Sequence, residues 1–372
     1  MAENRRDTSY NSKGAGFFSW NKAGWSIVPA LLSLLVLGIL ILFRPHVTVT
    51  YSLYPYLPDA DYYREILEEE WNKLHPDVDL VYSNYDCYYD GAPEGIDVIM
   101  FDSLLEQSLI NNGYLRPVEQ QDINEPEDFF DFTMIPAQGK STLYGEPVLI
   151  CADFLIYDLN DPVLASAESI IDIAAGGENL LIRYNAAGEY IYRLDAAADI
   201  CQDASVTQSE KAVSAIDTDE SLSAIRKILI RKYMKDNNYE LARLYDEGKA
   251  DGFIGYSENL SAVEHRLNNT GIKLISYSNS DNIPLYFCDM AGISTAVSED
   301  KTDICMDLVN LMADPSILER LTVMDGKPQY LLPARQSVYD TIKDEYPLYG
   351  KLQEMIESGN ASVFRAYKEF DY

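Results

Sequence analysis

The chain has 372 residues, roughly two domains' worth, because single hydrophobic cores usually stop growing near about 250 to 300 residues. It holds 60 Asp and Glu against 29 Lys and Arg, which gives a formal net charge of −31. Such an acidic chain argues against nucleic acid as a partner, since phosphate binding needs clustered cations. With 47% hydrophobic residues and 28 tyrosines, the chain has enough apolar material to fold around a core.

Histidine and cysteine are scarce, and this restricts the chemistry. None of the three histidines forms a short-spaced pair of the kind that binds zinc, so we expect no metal site. No G-x-S-x-G elbow of a serine hydrolase occurs. The five cysteines include no C-x-x-C pair, and their odd number leaves at least one thiol free or paired between chains under oxidising conditions.

An uncharged segment near the start predicts a membrane anchor. Residues 25–43 read WSIVPALLSLLVLGILILF, long enough to cross a bilayer core of about 30 Å at about 1.5 Å per residue. Segment 1–24 carries four basic and two acidic residues, which by the positive-inside rule places it in the cytoplasm and the later residues outside. A cleaved signal peptide is the alternative, but no small-residue cleavage site follows. Because segment 1–24 contributes +2, the exterior part carries −33.

The exterior part opens with a βαβ pattern. His46 to Leu53 alternates like a strand, Asp61 to His75 places its apolar residues on one helical face, and Val78 to Ser83 is a second strand. The apolar run Ile96 to Phe101 suits a strand buried on both faces, and Asp102 with Ser103 is an N-cap for a helix through Ile110.

Strand-like and helix-like segments continue to alternate after this opening. The later predicted strands are Pro147 to Tyr157, Asn179 to Tyr184, Gly252 to Tyr256, Lys273 to Tyr277 and Tyr286 to Ile293. The later predicted helices are Ser221 to Lys235, Tyr239 to Gly248, Asp303 to Met312 and Pro315 to Met324. An α/β chain of this length without a flexible linker predicts two lobes joined by crossing strands, with a ligand in the cleft between them.

Eight short motifs around the predicted cleft carry a resemblance to a known family. They read YPYLPD from Tyr54, DCY from Asp86, IDVIMFD from Ile96, NGYLRP from Asn112, YGEPVLIC from Tyr144, GYSE from Gly255, PLYFCD from Pro284 and YLLPAR from Tyr330. In this order they resemble thiaminase I, thiamine pyridinylase. The resemblance covers residues 47 to about 365 and implies a bilobal fold of the type II periplasmic-binding-protein class.

The resemblance also implies how residues 46–372 are divided. We expect a first lobe at about 46–148 and 290–325, and a second lobe at about 149–289 and 326–372. The implied activity is a transferase that displaces the thiazole of thiamine and puts a small amine or thiol on the pyrimidine methylene. It implies no metal or organic cofactor, and we expect a monomer.

Matching positions assign the catalytic roles by resemblance. Cys151 stands where the family has its nucleophile, and Glu258 where it has the general base. The chemistry needs such a pair, because a thiol with a reference pKa of about 8.5 is mostly protonated at neutral pH. Cys87, in DCY, is the chief alternative nucleophile. Without the motif, Cys151 in its apolar strand would be read as a buried packing residue.

Substrate contacts carry over in the same way. Asp102 and Asp289 match positions that contact the pyrimidine ring. The aromatic positions that line the family's pocket are matched by Tyr54, Tyr56, Tyr88, Tyr239 and Tyr256. The chain departs from the family at Phe287, where we expect Tyr, and it has a shorter stretch between Cys151 and Glu258.

A binding module is the second hypothesis. A tethered extracellular receptor for thiamine or its breakdown products would use the same bilobal cleft without catalysis, and fold alone does not separate the two. A reactive cysteine opposed to a carboxylate favours the enzyme, because a receptor has no use for that pair.

Overall fold

The computed structural model describes most of the chain after the predicted anchor. The described residues are 47–137, 139–176, 179–182, 186–208, 223–224, 226–227, 238–358 and 361–365. Segment 1–24 and the anchor predicted at 25–43 lie outside them, as does most of the helix predicted over Ser221 to Lys235. Within the described ranges, no helix has both the length and the apolar character that a bilayer span requires. The chain from Thr48 onward forms one compact unit.

Strands and helices alternate along this unit, as predicted for an α/β fold. The strands are β1 (Val47–Ser52), β2 (Val78–Tyr82), β3 (Val98–Asp102), β4 (Glu146–Cys151), β5 (Phe154–Asp158), β6 (Leu180–Ile182), β7 (Gly252–Gly255), β8 (Thr270–Lys273), β9 (Leu285–Ile293), β10 (Val323–Met324), β11 (Lys327–Pro328), β12 (Leu332–Pro333) and β13 (Ser362–Val363). The helices are α1 (Ala60–Leu74), α2 (Ser103–Asn111), α3 (Pro162–Ser166), α4 (Ile170–Gly176), α5 (Ala186–Cys201), α6 (Asn238–Asp246), α7 (Glu299–Met312), α8 (Pro315–Thr322), α9 (Gln336–Ile342) and α10 (Pro347–Glu357).

The βαβ opening is confirmed. Helix α1 buries Tyr63, Ile66, Leu67 and Trp71, the helical spacing of one apolar face. Helix α2 begins as predicted after Asp102, whose carboxylate accepts a hydrogen bond from Leu104 N at 2.8 Å. That bond satisfies one of the backbone donors that a helix N-terminus leaves without an intrahelical partner.

The larger sheet is built around the long strand β9. Its order is β12-β4-β9-β3-β1-β2, with β13 paired to β9 outside this path. Strands β3 and β4 both run antiparallel to β9, whereas β1 runs parallel to β3. All five residues of β3 are buried, which explains why its sequence is apolar without alternation.

A second sheet of four strands has the order β6-β7-β5-β8. Only Ala152 and Asp153 separate β4 in the first sheet from β5 in the second. The single strand predicted over Pro147 to Tyr157 is therefore wrong. Strands β4 and β5 are both buried. Their sequences are therefore equally apolar, and composition does not indicate where the first strand ends and the second begins.

The strand predicted over Lys273 to Tyr277 is also wrong, because β8 ends at Lys273. In the segment after it, Ser276 forms an isolated bridge with Ser169, and other hydrogen bonds go to a side chain. Asp199 of α5 accepts hydrogen bonds from Tyr277 N at 2.6 Å and from the Ser276 hydroxyl at 2.9 Å. It accepts a third from Ile283 N at 2.7 Å, so one carboxylate holds the loop that leads into β9.

Strands near the end of the described chain also belong to the first sheet. Strand β12 pairs antiparallel with β4, and β13 pairs parallel with β9. Strand β13 pairs with Leu285 and Tyr286, the part of β9 that extends beyond its pairing with β3 and β4.

Candidate active site

Two acids and a cysteine lie on one face of the larger sheet. Asp102 at the end of β3 is directly opposite Asp289 of β9, and Cys151 at the end of β4 is opposite Phe287 of the same strand. Directly opposed residues of an antiparallel pair share a face, with Cβ atoms about 4.5–5.5 Å apart. Since residues 287 and 289 are two apart, they share that face as well.

Asp102 is the best-bonded of these groups. It is only 4% exposed, and the Tyr88 hydroxyl donates to its Oδ2 at 2.6 Å while Leu104 N donates to its Oδ1 at 2.8 Å. The Tyr88 hydroxyl also lies 3.3 Å from that of Tyr54. A hydrogen-bonded chain therefore leads from Tyr54 through Tyr88 to the buried carboxylate.

Three of the predicted pocket tyrosines pack against one another. The ring centroids of Tyr54 lie 5.8 Å from Tyr56 and 6.2 Å from Tyr88, and those of Tyr56 and Tyr88 are 5.8 Å apart. These are ordinary spacings for tilted or edge-to-face aromatic pairs. Tyr56 is 58% exposed, so the cluster extends from the buried Asp102 to the protein surface.

Glu258 is held in a short 3-10 helix, Ser257–Ala262, directly after β7 of the second sheet. The Asn259 side chain accepts a hydrogen bond from Tyr256 N at 2.8 Å and closes the turn. The Ser257 hydroxyl donates to Tyr330 O at 2.7 Å and is fully buried. Gly255 fits the same turn, because a Cβ there would lie 2.7 Å from Asn259 Oδ1.

The negative charge of Glu258 affects the pKa of the Cys151 thiol. Burial, followed by the negative charges of Glu258, Asp289 and Asp102, raises the pKa of the Cys151 thiol well above its usual value. Glu258 has the largest effect among the charged neighbours, although it follows a strand of the other sheet. The structure thus brings together the predicted nucleophile and base, which are more than one hundred residues apart in sequence.

Burial and the charges of its neighbours favour the protonated form of Asp289. Burial raises the pKa of Asp289 well above its usual value, and the charges of Asp102 and Glu258 raise it further. Burial also raises the pKa of Asp102, while its hydrogen bonds to Leu104 N and Tyr88 act in the opposite direction. Two like charges this close are costly when both are ionised, so a cationic or protonated ligand would relieve the repulsion.

The remaining two predicted tyrosines lie on the Glu258 side. The Tyr256 ring packs edge-on against Phe287, with centroids 6.3 Å apart, and Phe287 is the strand partner of Cys151. Burial and then the charge of Glu258 raise the pKa of Tyr239. All of the predicted site residues therefore lie in one region that both sheets contribute to.

Cys87, the alternative nucleophile, also lies near this region. It is 8% exposed, and burial followed by the charge of Asp102 raises its pKa. Each of the five cysteines has a free thiol. Among the described residues, no group of three or more His, Cys, Asp or Glu side chains is placed to hold a metal ion.

Sequence reasoning missed the residues that hold the site in place. The sequence patterns assign no role to Asn259 or Ser257, although each stands next to Glu258. A side chain able to bond the backbone three residues before it is the usual sign of a closed turn, and Asn259 fits that pattern with Tyr256. The contact from Ser257 to Tyr330 spans 73 residues, and no local pattern reveals it.

Comparison with known proteins gives relatives but no family model, since none matches the chain. Thiaminase-1 of Paenibacillus thiaminolyticus is 25% identical over 344 residues, which are 86% of this chain and 83% of that protein. The solved structure of Clostridium botulinum thiaminase I in complex with thiamin has a TM-score of 0.78 and 28% identity, covering 86% of this chain and 94% of that one.

Sugar-binding proteins share the fold at lower similarity. The maltose-bound structure of MalE3 from T. maritima has a TM-score of 0.62 and 16% identity, and it covers 85% of this chain and 89% of that one. The predicted resemblance to thiaminase I is confirmed, and the α/β fold resembles both thiaminase I and sugar-binding proteins.

Proposed function

We propose, from its homology to thiaminase I, that this chain is a thiamine-degrading transferase that uses Cys151 as nucleophile and Glu258 as general base. Thiamine is the substrate, and a small amine or thiol is the second substrate. The observation that carries the proposal is the electrostatic effect of Glu258, which follows a strand of the second sheet, on the Cys151 thiol of the first sheet, beside the opposed acids Asp102 and Asp289.

The first half-reaction forms a covalent intermediate. Glu258 takes the thiol proton as the Cys151 sulfur adds to a carbon of the pyrimidine ring and forms a C–S bond. The bond between the methylene and the thiazolium nitrogen then breaks. Its electron pair goes to that nitrogen, and the thiazole leaves as a neutral molecule.

The second half-reaction transfers the pyrimidine. The amine or thiol attacks the methylene and loses a proton to solvent, and the C–S bond to Cys151 breaks with its electron pair on sulfur. Protonated Glu258 returns its proton to the thiolate. Atoms and charge balance with no metal or organic cofactor, and Glu258 serves as base and then as acid.

The raised pKa of Cys151 fits this role for Glu258. A thiol whose pKa is raised is not a resting thiolate, so the proton must leave as the sulfur attacks. The substrate carries a positive thiazolium, whose charge opposes the effect of the neighbouring carboxylates on the pKa of the Cys151 thiol. Binding therefore favours thiolate formation at the moment it is needed.

The acids and tyrosines have distinct roles in substrate binding. We assign Asp102 and Asp289 to the pyrimidine, where a carboxylate stabilises a protonated and more electrophilic ring. The rings of Tyr54, Tyr56 and Tyr88 offer faces to a flat heterocycle or to the thiazolium cation.

Product analysis tests the activity. The exterior domain is incubated with thiamine and an aromatic amine, and the mixture is analysed by mass spectrometry. We expect free thiazole and a pyrimidine–amine adduct in equal amounts. Tight thiamine binding without either product would rule out the transferase.

A receptor without catalysis is the second candidate, because sugar-binding proteins share the fold and fold alone does not separate binding from catalysis. The Cys151→Ser variant separates the two. If the protein is an enzyme, the variant loses turnover and keeps its thiamine affinity. If it is a receptor, wild type shows no turnover and the variant keeps the same thiamine affinity.

The location of the protein is part of the proposal. The predicted anchor at 25–43 would tether the catalytic domain, as a monomer, to the outer face of the cell membrane. Protease treatment of intact cells tests this, because an exterior domain is cleaved while segment 1–24 is protected.

A further inference from the structure

We propose that the segment Ala361 to Arg365, named here the strap, positions the catalytic groups, with Phe364 and Arg365 as its positioning residues. This inference rests on the proposed function. None of its residues was selected as part of the site from the sequence. Phe364 is fully buried and Arg365 is 6% exposed.

The strap is fastened to the strand that carries Asp289. Strand β13 runs parallel to β9, with Ser362 opposite Leu285 and Val363 opposite Tyr286. Phe364 N donates to Tyr286 O at 2.7 Å. These bonds extend along β9 to the residue just before Phe287.

The strap also holds the start of helix α2, which follows Asp102. The Ser103 hydroxyl donates to Phe364 O at 2.8 Å and accepts from Cys288 N at 3.1 Å. Ser103 is adjacent to Asp102, and Cys288 is adjacent to Asp289. One buried hydroxyl therefore ties the strap to the neighbours of both acids.

A buried ion pair fixes the same helix one turn later. Arg365 Nε donates to Glu106 Oε2 at 2.6 Å, and its guanidinium also donates to Ile135 O at 2.9 Å. Glu106 is fully buried. Removing one partner of such a pair leaves an uncompensated charge in the interior, so Arg365 is a strong constraint on the position of α2.

Phe364 packs against the residue that lies opposite Cys151 in the sheet. Its ring lies 5.2 Å from that of Phe287, the strand partner of Cys151. Phe364 and Phe287 share an apolar cluster with Leu194 of α5, and Cys151 and Tyr256 pack against this cluster. The strap thus shares an apolar cluster with the strand partner of Cys151, and Tyr256, two residues before Glu258, packs against the same cluster.

The consequence is kinetic. A shift of about 1 Å in a catalytic group is enough to cost about 10²-fold in rate. Shortening Phe364 removes the support of Phe287, so Cys151 loses its fixed position while the tyrosine cluster of Tyr54, Tyr56 and Tyr88 stays in place. We therefore expect kcat to fall and KM for thiamine to change little.

The test compares Phe364→Leu with Phe130→Leu, a matched change at a buried ring that packs on Phe132 and Tyr339. Both variants are checked by thermal unfolding. We expect kcat to fall about 10-fold or more in Phe364→Leu and to stay within about twofold in Phe130→Leu at a similar loss of stability. Equal kcat in the two variants overturns the positioning role.

A second measurement does not depend on the proposed activity. The rate at which iodoacetamide alkylates Cys151 is followed against pH by peptide mass spectrometry in wild type, Phe364→Leu and Arg365→Met, with Arg365→Lys as the conservative rescue. We expect the pH profile of Cys151 alkylation to shift in Phe364→Leu and in Arg365→Met. In Arg365→Lys, which keeps the positive charge beside Glu106, we expect the wild-type profile. An unchanged profile overturns the proposal, and an inactive wild type with a shifted profile contradicts only the proposed function.

Discussion

The Cys151 thiol is surrounded by carboxylates and not by cations. Burial is the largest cause of its raised pKa. The next causes are the charges of four carboxylates, on Glu258, Asp289, Asp102 and Asp153. Reactive cysteines are more often activated by a nearby cation or a helix N-terminus. In the proposed mechanism the positive charge comes from the thiazolium of the substrate, so we expect the thiol to react preferentially with cationic ligands.

Exchanging the thiol for a hydroxyl tests its role directly. In Cys151→Ser we expect turnover of thiamine to fall at least about 10³-fold, because a serine hydroxyl is a far weaker nucleophile and Glu258 alone does not activate it sufficiently. Thiamine affinity, measured by calorimetry, stays within a few-fold. The matched variant Cys87→Ser keeps its turnover, and loss of activity in Cys87→Ser with retention in Cys151→Ser would reverse the assignment.

Removing one acid tests the electrostatic account. Asp102→Asn removes the charge and keeps one oxygen, which can still accept from Leu104 N, whereas its NH2 group replaces the oxygen that accepts from the Tyr88 hydroxyl. We expect the pKa of Cys151 to fall, since one of the charges that raise it is gone, while KM for thiamine rises about 10-fold for the lost charge-assisted contact. The pH profile of Cys151 alkylation measures the first effect. A profile moved to higher pH would contradict it.

The 3-10 helix after β7 is only six residues long and carries the proposed base, Glu258. Gly255 and Asn259 are in such close contact that a methyl group at Gly255 would lie 2.7 Å from Asn259 Oδ1. We expect Gly255→Ala to displace the turn and with it Glu258, lowering kcat about 10-fold or more. Gly350→Ala is the control, because its nearest neighbour would be 3.8 Å away. Equal kcat values in both variants would show that the turn does not hold the base.

The loop that enters β9 depends on a buried carboxylate, and this makes stability depend on pH. Burial raises the pKa of Asp199 to about 6, against the opposing effect of its hydrogen bonds to Ile283 N and Tyr277 N. In the unfolded chain it would titrate near about 3.9. Between these values the folded state binds more protons, so the contribution of Asp199 to stability falls as pH rises from about 4 to 6.

The Asp199→Asn variant isolates this contribution. We expect the wild type to lose up to about 3 kcal/mol of unfolding free energy relative to the variant over that interval, at about 1.4 kcal/mol per pH unit of pKa shift. Denaturant unfolding at pH 4, 5, 6 and 7 measures the difference. A constant difference across this range would contradict the assignment.

The sequence predicts elements well where a pattern is local and poorly where a long-range contact decides. Helix α1 and its buried face follow from helical spacing, and the N-cap of α2 follows from Asp102 and Ser103. The crossing at Ala152 and Asp153 does not, because both flanking strands are buried. The strap is equally invisible, since its contacts to α2 join residues more than 250 positions apart.

At the scale of the whole molecule, charge and substrate are complementary. The exterior part is predicted to carry −33, and thiamine carries a positive thiazolium. Clefts lined by one sign of charge raise the local concentration of an oppositely charged ligand, and salt screens the effect. We expect most of the acids to be surface residues and propose that Glu258, Asp102 and Asp289 act at the site.

Ionic strength tests this long-range effect. We expect kcat/KM for thiamine to fall several-fold between 0.01 and 0.5 M salt, because the Debye length shrinks from about 30 Å to only a few ångströms. Steering changes the rate of encounter, so kcat at saturating thiamine changes little. Indifference of kcat/KM to salt would contradict steering and leave the chemistry at Cys151 intact.

The most direct test of the proposed function is to trap the covalent intermediate. The exterior domain is mixed with thiamine without an amine or thiol, quenched in acid within seconds, and digested for peptide mass spectrometry. We predict the methylpyrimidine group on the peptide that contains Cys151, with one thiazole released for each modified chain and no modification in Cys151→Ser. Release of thiazole with Cys151 unmodified, or modification of Cys87 in its place, would contradict the account.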